Sequence, residues 1–203
     1  MLETDRIKLR NWKISDAENL YKYASDELVG PLTGWSPHKN VEESKNIIQN
    51  FFNKNTFAIV LKETNEIVGS IGLCQPKIEK YVALDEMEVG YWIARPYWGQ
   101  RIAPEAMELI KEYSFNTLKL KKLWCVANEH NLNSRRVQQK CGFEVQFKNN
   151  GKVYTAIDNK RWLASSLYYI IASTIYLITN NIANIYITIE TCLCLPVNTF
   201  IIT

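Results

Sequence analysis

The sequence predicts a mixed α/β (α+β) domain, a sheet covered by helices without regular alternation of strand and helix. Three observations carry this reading. Apolar periodicity along the 203 residues gives the order β-α-α-β-β-β-α-β-α-β-β, with too few β-α alternations for a doubly wound sheet. Two strand pairs joined by short polar turns read as hairpins. One strand–turn–helix stretch, Asp85 to Asn116, organises the middle of the chain.

The elements follow in order. Arg6 to Arg10 alternates as a first strand. Ser15-Asp16-Ala17-Glu18 reads as a capping box opening a helix to about Ser25, with Leu20, Tyr23 and Ala24 inward. Val29 to His38 holds two Gly, two Pro and a Trp, the composition of a shaped surface loop. A second helix starts at Asn40 and faces inward with Ile47, Ile48, Phe51 and Phe52. Phe57–Leu61 and Ile67–Cys74 form a hairpin about Thr64-Asn65-Glu66, and Gln75 to Leu84 is a polar connection.

In the central stretch, Met87, Val89, Tyr91 and Ile93 alternate with Glu86, Glu88, Gly90 and Trp92 as a strand. The turn Arg95 to Arg101 leads into a helix whose apolar stripe is Ile102, Ala106, Leu109, Ile110 and Tyr113, with Pro104 in its first turn. Unpaired N–H groups and the positive end of the dipole make such a helix start an anion site, though an ordinary strand–helix connection looks the same. A short strand, Leu123 to Ala127, precedes a polar loop and a helix ending near Cys141, with Gly142 at C′. Phe143–Lys148, the turn Asn149-Asn150-Gly151, and Val153–Trp162 close the domain as a hairpin.

Composition limits the function classes. A net charge of +3, without a basic run, gives no case for a nucleic-acid partner. Two His cannot build a His-rich metal site, and five scattered Cys without a CxxC pair indicate reduced thiols, so no metal is expected. The start MLETDRIKLR is charged from its third residue and shows no signal-peptide pattern, and the reduced thiols suggest a cytoplasmic protein. From Leu163 to Thr203 the only charged residue is Glu190. Hence a domain over 1–162 and an apolar tail over 163–203 are expected. The tail reads as a frame-shifted extension, as extra strands, or as a membrane-associating segment short of a full span; the first is preferred, and a membrane role is the weaker expectation.

Three stretches carry a family resemblance: Leu2-Glu3-Thr4-Asp5-Arg6-Ile7-Lys8-Leu9-Arg10; Glu88 to Ile93 followed by Tyr97 to Ala106; and Asn131-Leu132-Asn133-Ser134 with Lys140-Cys141-Gly142-Phe143. Together, over residues 1–162, they resemble the GNAT superfamily of acetyl-CoA-dependent N-acetyltransferases. Within it the chain looks like the ribosomal-protein N-terminal acetyltransferase (RimJ/RimL-like) branch. The resemblance implies a mixed, mostly antiparallel central sheet of about six to seven strands flanked by about four helices. It implies acetyl-CoA as acetyl donor and direct attack by a primary amine, from a protein N-terminus or a small molecule. A monomer or homodimer is expected.

The family's Q/R-x-x-G-x-G/A turn falls on Trp98-Gly99-Gln100-Arg101-Ile102-Ala103. The resemblance assigns the pyrophosphate to the backbone N–H groups of Gln100, Ile102 and Ala103, and the pantetheine arm to the strand edge at Trp92 and Ile93 and to Asn131. Arg101 stands where the family usually has Gly. With a negative φ it would follow the same path and add a phosphate contact; otherwise it would crowd the site. Ser134 is the expected acid for the departing thiolate, and a first-turn capping hydroxyl is the equal alternative. Glu88 is the first choice of general base and Glu129 the second, and a solvated carboxylate is as good a reading of Glu88. Trp35 and His38 would line the acceptor side. Cys125 and Cys141 read as core residues. A second function class, a non-catalytic acyl-CoA-binding module associated with membranes through the tail, shares these features.

Overall fold

The computed structural model describes residues 2–76, 78, 83–164, 167, 171, 174 and 175. Contacts divide the chain into two compact units, 1–159 and 160–203. In the second unit the described residues are helical. The sequence-based readings of residues 79–82 and of the tail beyond 175 lie outside the described residues.

The first unit is built on a seven-stranded sheet in the order β1-β2-β3-β4-β5-β7-β6. The strands are β1 (Ile7–Asn11), β2 (Thr56–Leu61), β3 (Ile67–Cys74), β4 (Glu86–Ile93), β5 (Lys122–Asn128), β6 (Glu144–Asn149) and β7 (Lys152–Asp158). All neighbours are antiparallel except β4 and β5. Five helices accompany them: α1 (Ala17–Ala24), α2 (Val29–Thr33), α3 (Val41–Asn50), α4 (Ile102–Glu112) and α5 (Leu132–Lys140). A π-helical turn, Tyr113–Thr117, prolongs α4. The mixed, mostly antiparallel sheet agrees with the expected fold.

Helices cover the two faces because β4 alternates. Its even face carries Trp92, which is buried with Leu20, Tyr23 and Ala24 of α1 and Ile48 of α3. Its odd face carries Tyr91, whose hydroxyl meets Ser134 of α5. Helix α4 lies beside α5 and buries Ala106, Met107, Leu109 and Ile110. Lys111 of α4, 4 % exposed, ties the two by donating to the Cys141 carbonyl at the end of α5.

Three local expectations change. The Val29–His38 loop contains a fifth helix, α2, stopped by Gly34 in the left-handed region (φ 89°). The Ser15 capping box does not form; a 3₁₀ turn over Ile14–Asp16 precedes α1. There Asp16 accepts from Arg10 at 2.6 and 3.0 Å and from the Lys13 N–H at 2.9 Å, so its carboxylate closes the start of the 3₁₀ turn rather than that of α1. The last strand ends at Asp158, and 159–164 is helical. The closing turn matches: Asn150 (φ 47°) and Gly151 (φ 70°) give the two left-handed residues of a hairpin turn.

Candidate active site

The site begins where the one parallel pair comes apart. Strands β4 and β5 are in register only over Glu86↔Lys122, Met87↔Leu123 and Glu88↔Trp124. Beyond Glu88, β4 continues to Ile93 on β3 alone. The Ala94 N–H donates to Val68, in register with Trp92↔Ser70. In an antiparallel ladder the bonded pairs alternate, so Trp92 turns its N–H and C=O toward β3. Tyr91 and Ile93 turn theirs toward the open side. This corrects the assignment of Trp92 to the pantetheine edge: its backbone belongs to the ladder and its indole to the α1/α3 core. Among the edge groups, the Ile93 carbonyl accepts from the Trp98 indole at 2.7 Å.

That bond anchors the turn at the end of β4. Gln100 Nε2 donates to the Pro96 carbonyl at 3.1 Å and folds the turn on itself. Gly99 (φ 79°) and Arg101 (φ 63°) both lie in the left-handed region. Arg101 therefore takes the backbone path a glycine would take, with positive rather than negative φ, and caps α4 through its backbone. The N–H groups of Ile102 and Ala103 stand in the first turn, where no carbonyl of the helix reaches them. Pro104 removes the next donor, and the Glu105 N–H is held by the Arg101 carbonyl at 3.3 Å. The turn is also clasped from β1: Arg6 donates to the Gln100 carbonyl at 3.2 Å and pairs with Glu105, which Thr4 also contacts.

Across the opening lies the start of α5. Asn131 caps it, its Oδ1 accepting from the Ser134 N–H at 3.0 Å, while its Nδ2 donates to the Leu32 carbonyl of α2 at 3.4 Å. The side chain expected to hold pantetheine thus has its oxygen engaged in the cap. Ser134 does not use its Oγ for capping. That oxygen lies 3.0 Å from the Tyr91 hydroxyl and accepts from Gln138 Nε2 at 3.3 Å. Burial pushes the Tyr91 phenol up, so it stays protonated.

On the other face, Glu88 and Gly90 precede Trp92 along β4, and Gly90 is exposed with open space where a Cβ would stand. Glu86 accepts from the Trp124 indole at 2.6 Å and pairs with Lys122 at 3.5 Å. Glu129 is paired with Lys148 at 2.6 Å, and that contact holds its carboxyl below the usual range. A base so paired binds a proton less readily, which weighs against the second-choice base. Trp35 packs edge-on to Trp92 (6.2 Å) and beside His38 (5.3 Å). His38 Nδ1 lies 2.8 Å from the buried Ser44 hydroxyl, and burial lowers the imidazole pKa, favouring its neutral form. The Cys125 and Cys141 thiols are both raised by burial, Cys141 to about 12, consistent with core roles. No group of three or more His, Cys, Asp or Glu among the described residues is placed to hold a metal ion.

A family profile described as Acetyltransferase (GNAT) domain matches residues 6–144. The chain belongs to the GNAT acetyltransferase family. Its helix-start anion turn, split strand pair and α5 hydroxyl lie inside that match, and the family assignment makes it an acetyl-CoA-dependent N-acetyltransferase. An uncharacterized N-acetyltransferase, p20, of Bacillus licheniformis is 29% identical over 151 residues, covering 71% of this chain and 83% of the relative. A GNAT-family acetyltransferase from Bacillus anthracis has the same fold (TM-score 0.69, 22% identity, 78% of this chain and 98% of that one). So does spermidine N-acetyltransferase from Vibrio cholerae, solved with CoA and spermine (TM-score 0.64, 18% identity, 79% and 99%). No helix among the described residues is long and apolar enough to cross a membrane.

The sequence pattern marks Tyr91 only as a strand residue and does not single out Gln138. The signal was present: Ser134 and Gln138 are four apart on α5, hence on one face.

Proposed function

We propose that the enzyme acetylates a primary amine, the N-terminus of a protein or a small molecule, by direct attack on acetyl-CoA in the cytoplasm. The observation that supports this most is the parting of β4 from β5 beyond Glu88↔Trp124. It leads from the anion turn at α4 past the open edge of Tyr91 and Ile93 to Ser134. The N–H groups of Ile102 and Ala103, with Gln100, take the pyrophosphate. The open edge of β4 takes the amide-bearing arm as an added strand. An edge N–H polarises the thioester carbonyl. The neutral amine attacks the carbonyl carbon, the C–N bond forms and the C–S bond breaks. Glu88 receives the amine proton, through water, and Ser134 supplies a hydrogen bond to the departing sulfur. Glu86 is held by the Trp124 indole and Lys122. Trp35 and His38 border the acceptor side.

The test is calorimetric titration of the full chain with acetyl-CoA, with dephospho-CoA for comparison, followed by turnover on spermidine and on short peptides with free N-termini. Micromolar binding, about −8 kcal/mol, with turnover of one acceptor class is expected. Binding without turnover on any amine would favour the non-catalytic acyl-CoA-binding reading. Absence of binding would sink both.

A further inference from the structure

A fully buried glutamine in a core is costly unless each end of its amide finds a partner. Gln138 has no exposed surface, yet it lies one helical turn from Ser134. Its Nε2 donates to Ser134 Oγ at 3.3 Å and its Oε1 accepts from Thr155 Oγ1 at 2.9 Å. Thr155, 4 % exposed, also lies 2.9 Å from the Cys125 carbonyl. Tyr91 closes the chain at Ser134, its hydroxyl 3.0 Å from Oγ and 3.4 Å from the carbonyl, the shorter contact being the one to Oγ.

A serine hydroxyl has one proton and two lone pairs. If Gln138 and Tyr91 both donate to Ser134 Oγ, both lone pairs are filled. The serine proton is then released from both neighbours and can turn to the opening between β4 and α5. The amide could instead lie the other way round, since its ends are assigned from their neighbours. Oε1 would then face Ser134 and draw the serine proton into the core. The structure has the first arrangement, with Nε2 on Ser134 Oγ and Oε1 on Thr155 Oγ1. The Cys125 carbonyl takes the Thr155 N–H by alternation and has a second lone pair for the Thr155 hydroxyl, so the placement of the amide, not Thr155 alone, carries the orientation.

We propose that Gln138 and Tyr91 are positioning residues that donate together to Ser134 Oγ and so aim its proton at the sulfur of the departing thiolate. The inference rests on the acetyl-transfer reading above. During transfer the C–S bond pair goes to sulfur and the Ser134 O–H hydrogen-bonds to it. The serine keeps its proton, and the thiolate is protonated by solvent after release.

Two measurements on the full chain test it. The first needs no turnover: the side-chain amide resonances of Gln138 in the labelled protein. They should shift on Ser134→Ala and remain nearly unchanged on Thr155→Val; the reverse pattern overturns the proposal. The second uses acetyl-CoA with spermidine or a short N-terminal alanine peptide. Gln138→Met keeps the side chain's size and leaves Thr155 its Cys125 partner, so the fold is retained. Both Gln138→Met and Tyr91→Phe should lower kcat about tenfold, with KM for acetyl-CoA within about twofold. Neither should add to the loss caused by Ser134→Ala, and each should change the solvent isotope effect on kcat. Wild-type kcat and isotope effect in both variants overturn the proposal. If the wild type turns over neither acceptor, the acetyl-transfer reading fails, and the amide resonances alone decide the orientation.

Discussion

Arg101 shows how a single residue meets a backbone demand. At φ 63° it occupies a region that costs an L-residue roughly 1–2 kcal/mol, and α4 starts from it. Arg101→Gly removes that strain but adds chain entropy to the unfolded state, so a net gain of about 0.5 kcal/mol is expected from denaturant unfolding. Because the backbone path stays the same, acetyl-CoA should still bind with an affinity within a few-fold of wild type. Asn131 is a second case. Its Oδ1 caps α5 and its Nδ2 reaches α2. Asn131→Ala should cost about 1 kcal/mol in thermal or denaturant unfolding. It should also weaken turnover, because Ser134 sits in the turn that the cap orders.

Between elements, the anion turn is held from behind by Glu66. This carboxylate accepts from Lys22 (2.7 Å), Tyr23 (2.6 Å) and Tyr97 (2.6 Å), joining α1 to the 3₁₀ turn Arg95–Tyr97 after β4. Those three hydrogen bonds, Lys22 first, lower its pKa from 4.5 to about 2. A carboxyl depressed in the folded state binds fewer protons there than in the unfolded chain. Its stabilisation is therefore complete above the unfolded value of 4.5 and disappears as pH falls through about 2. In Glu66→Gln, the fall in melting temperature between those two pH values should be shallower than in wild type. An equal slope in the two proteins would show that the hydroxyl contacts do not hold the carboxylate charged.

At the scale of the molecule, the edge of the sheet clasps its centre. Thr4 and Arg6, at the start of β1, hold Glu105 and the Gln100 carbonyl, almost a hundred residues away in sequence. Without Arg6, Glu105 would leave an unpaired negative charge in the first turn of α4, where the pyrophosphate is proposed to sit. Arg6→Met should therefore raise KM for acetyl-CoA several-fold with little change in kcat. The stability loss should stay under about 1 kcal/mol, because the guanidinium is 55% exposed. A loss confined to kcat would contradict this role.

Local pattern alone determined much of this enzyme. Alternation placed β4, helical spacing placed α4 and α5, and Asn-Gly chemistry placed the last hairpin, because each depends on neighbours within a few residues. The family motifs fall on the turn before α4 and on the start of α5 for the same reason. Pattern could not reveal which backbone edge of β4 is open, since that follows from its register with β3 and from where β5 departs. It could not foresee that Asp16 would pair with Arg10 and close a 3₁₀ turn at Lys13 rather than open α1, or that five residues after Leu28 would close into a helix. Nor could it bring Arg6 to Glu105, or Tyr91, Gln138 and Thr155 to one hydroxyl. These are contacts between distant segments, and only packing decides them: a buried polar group takes whichever partner the folded chain brings within reach.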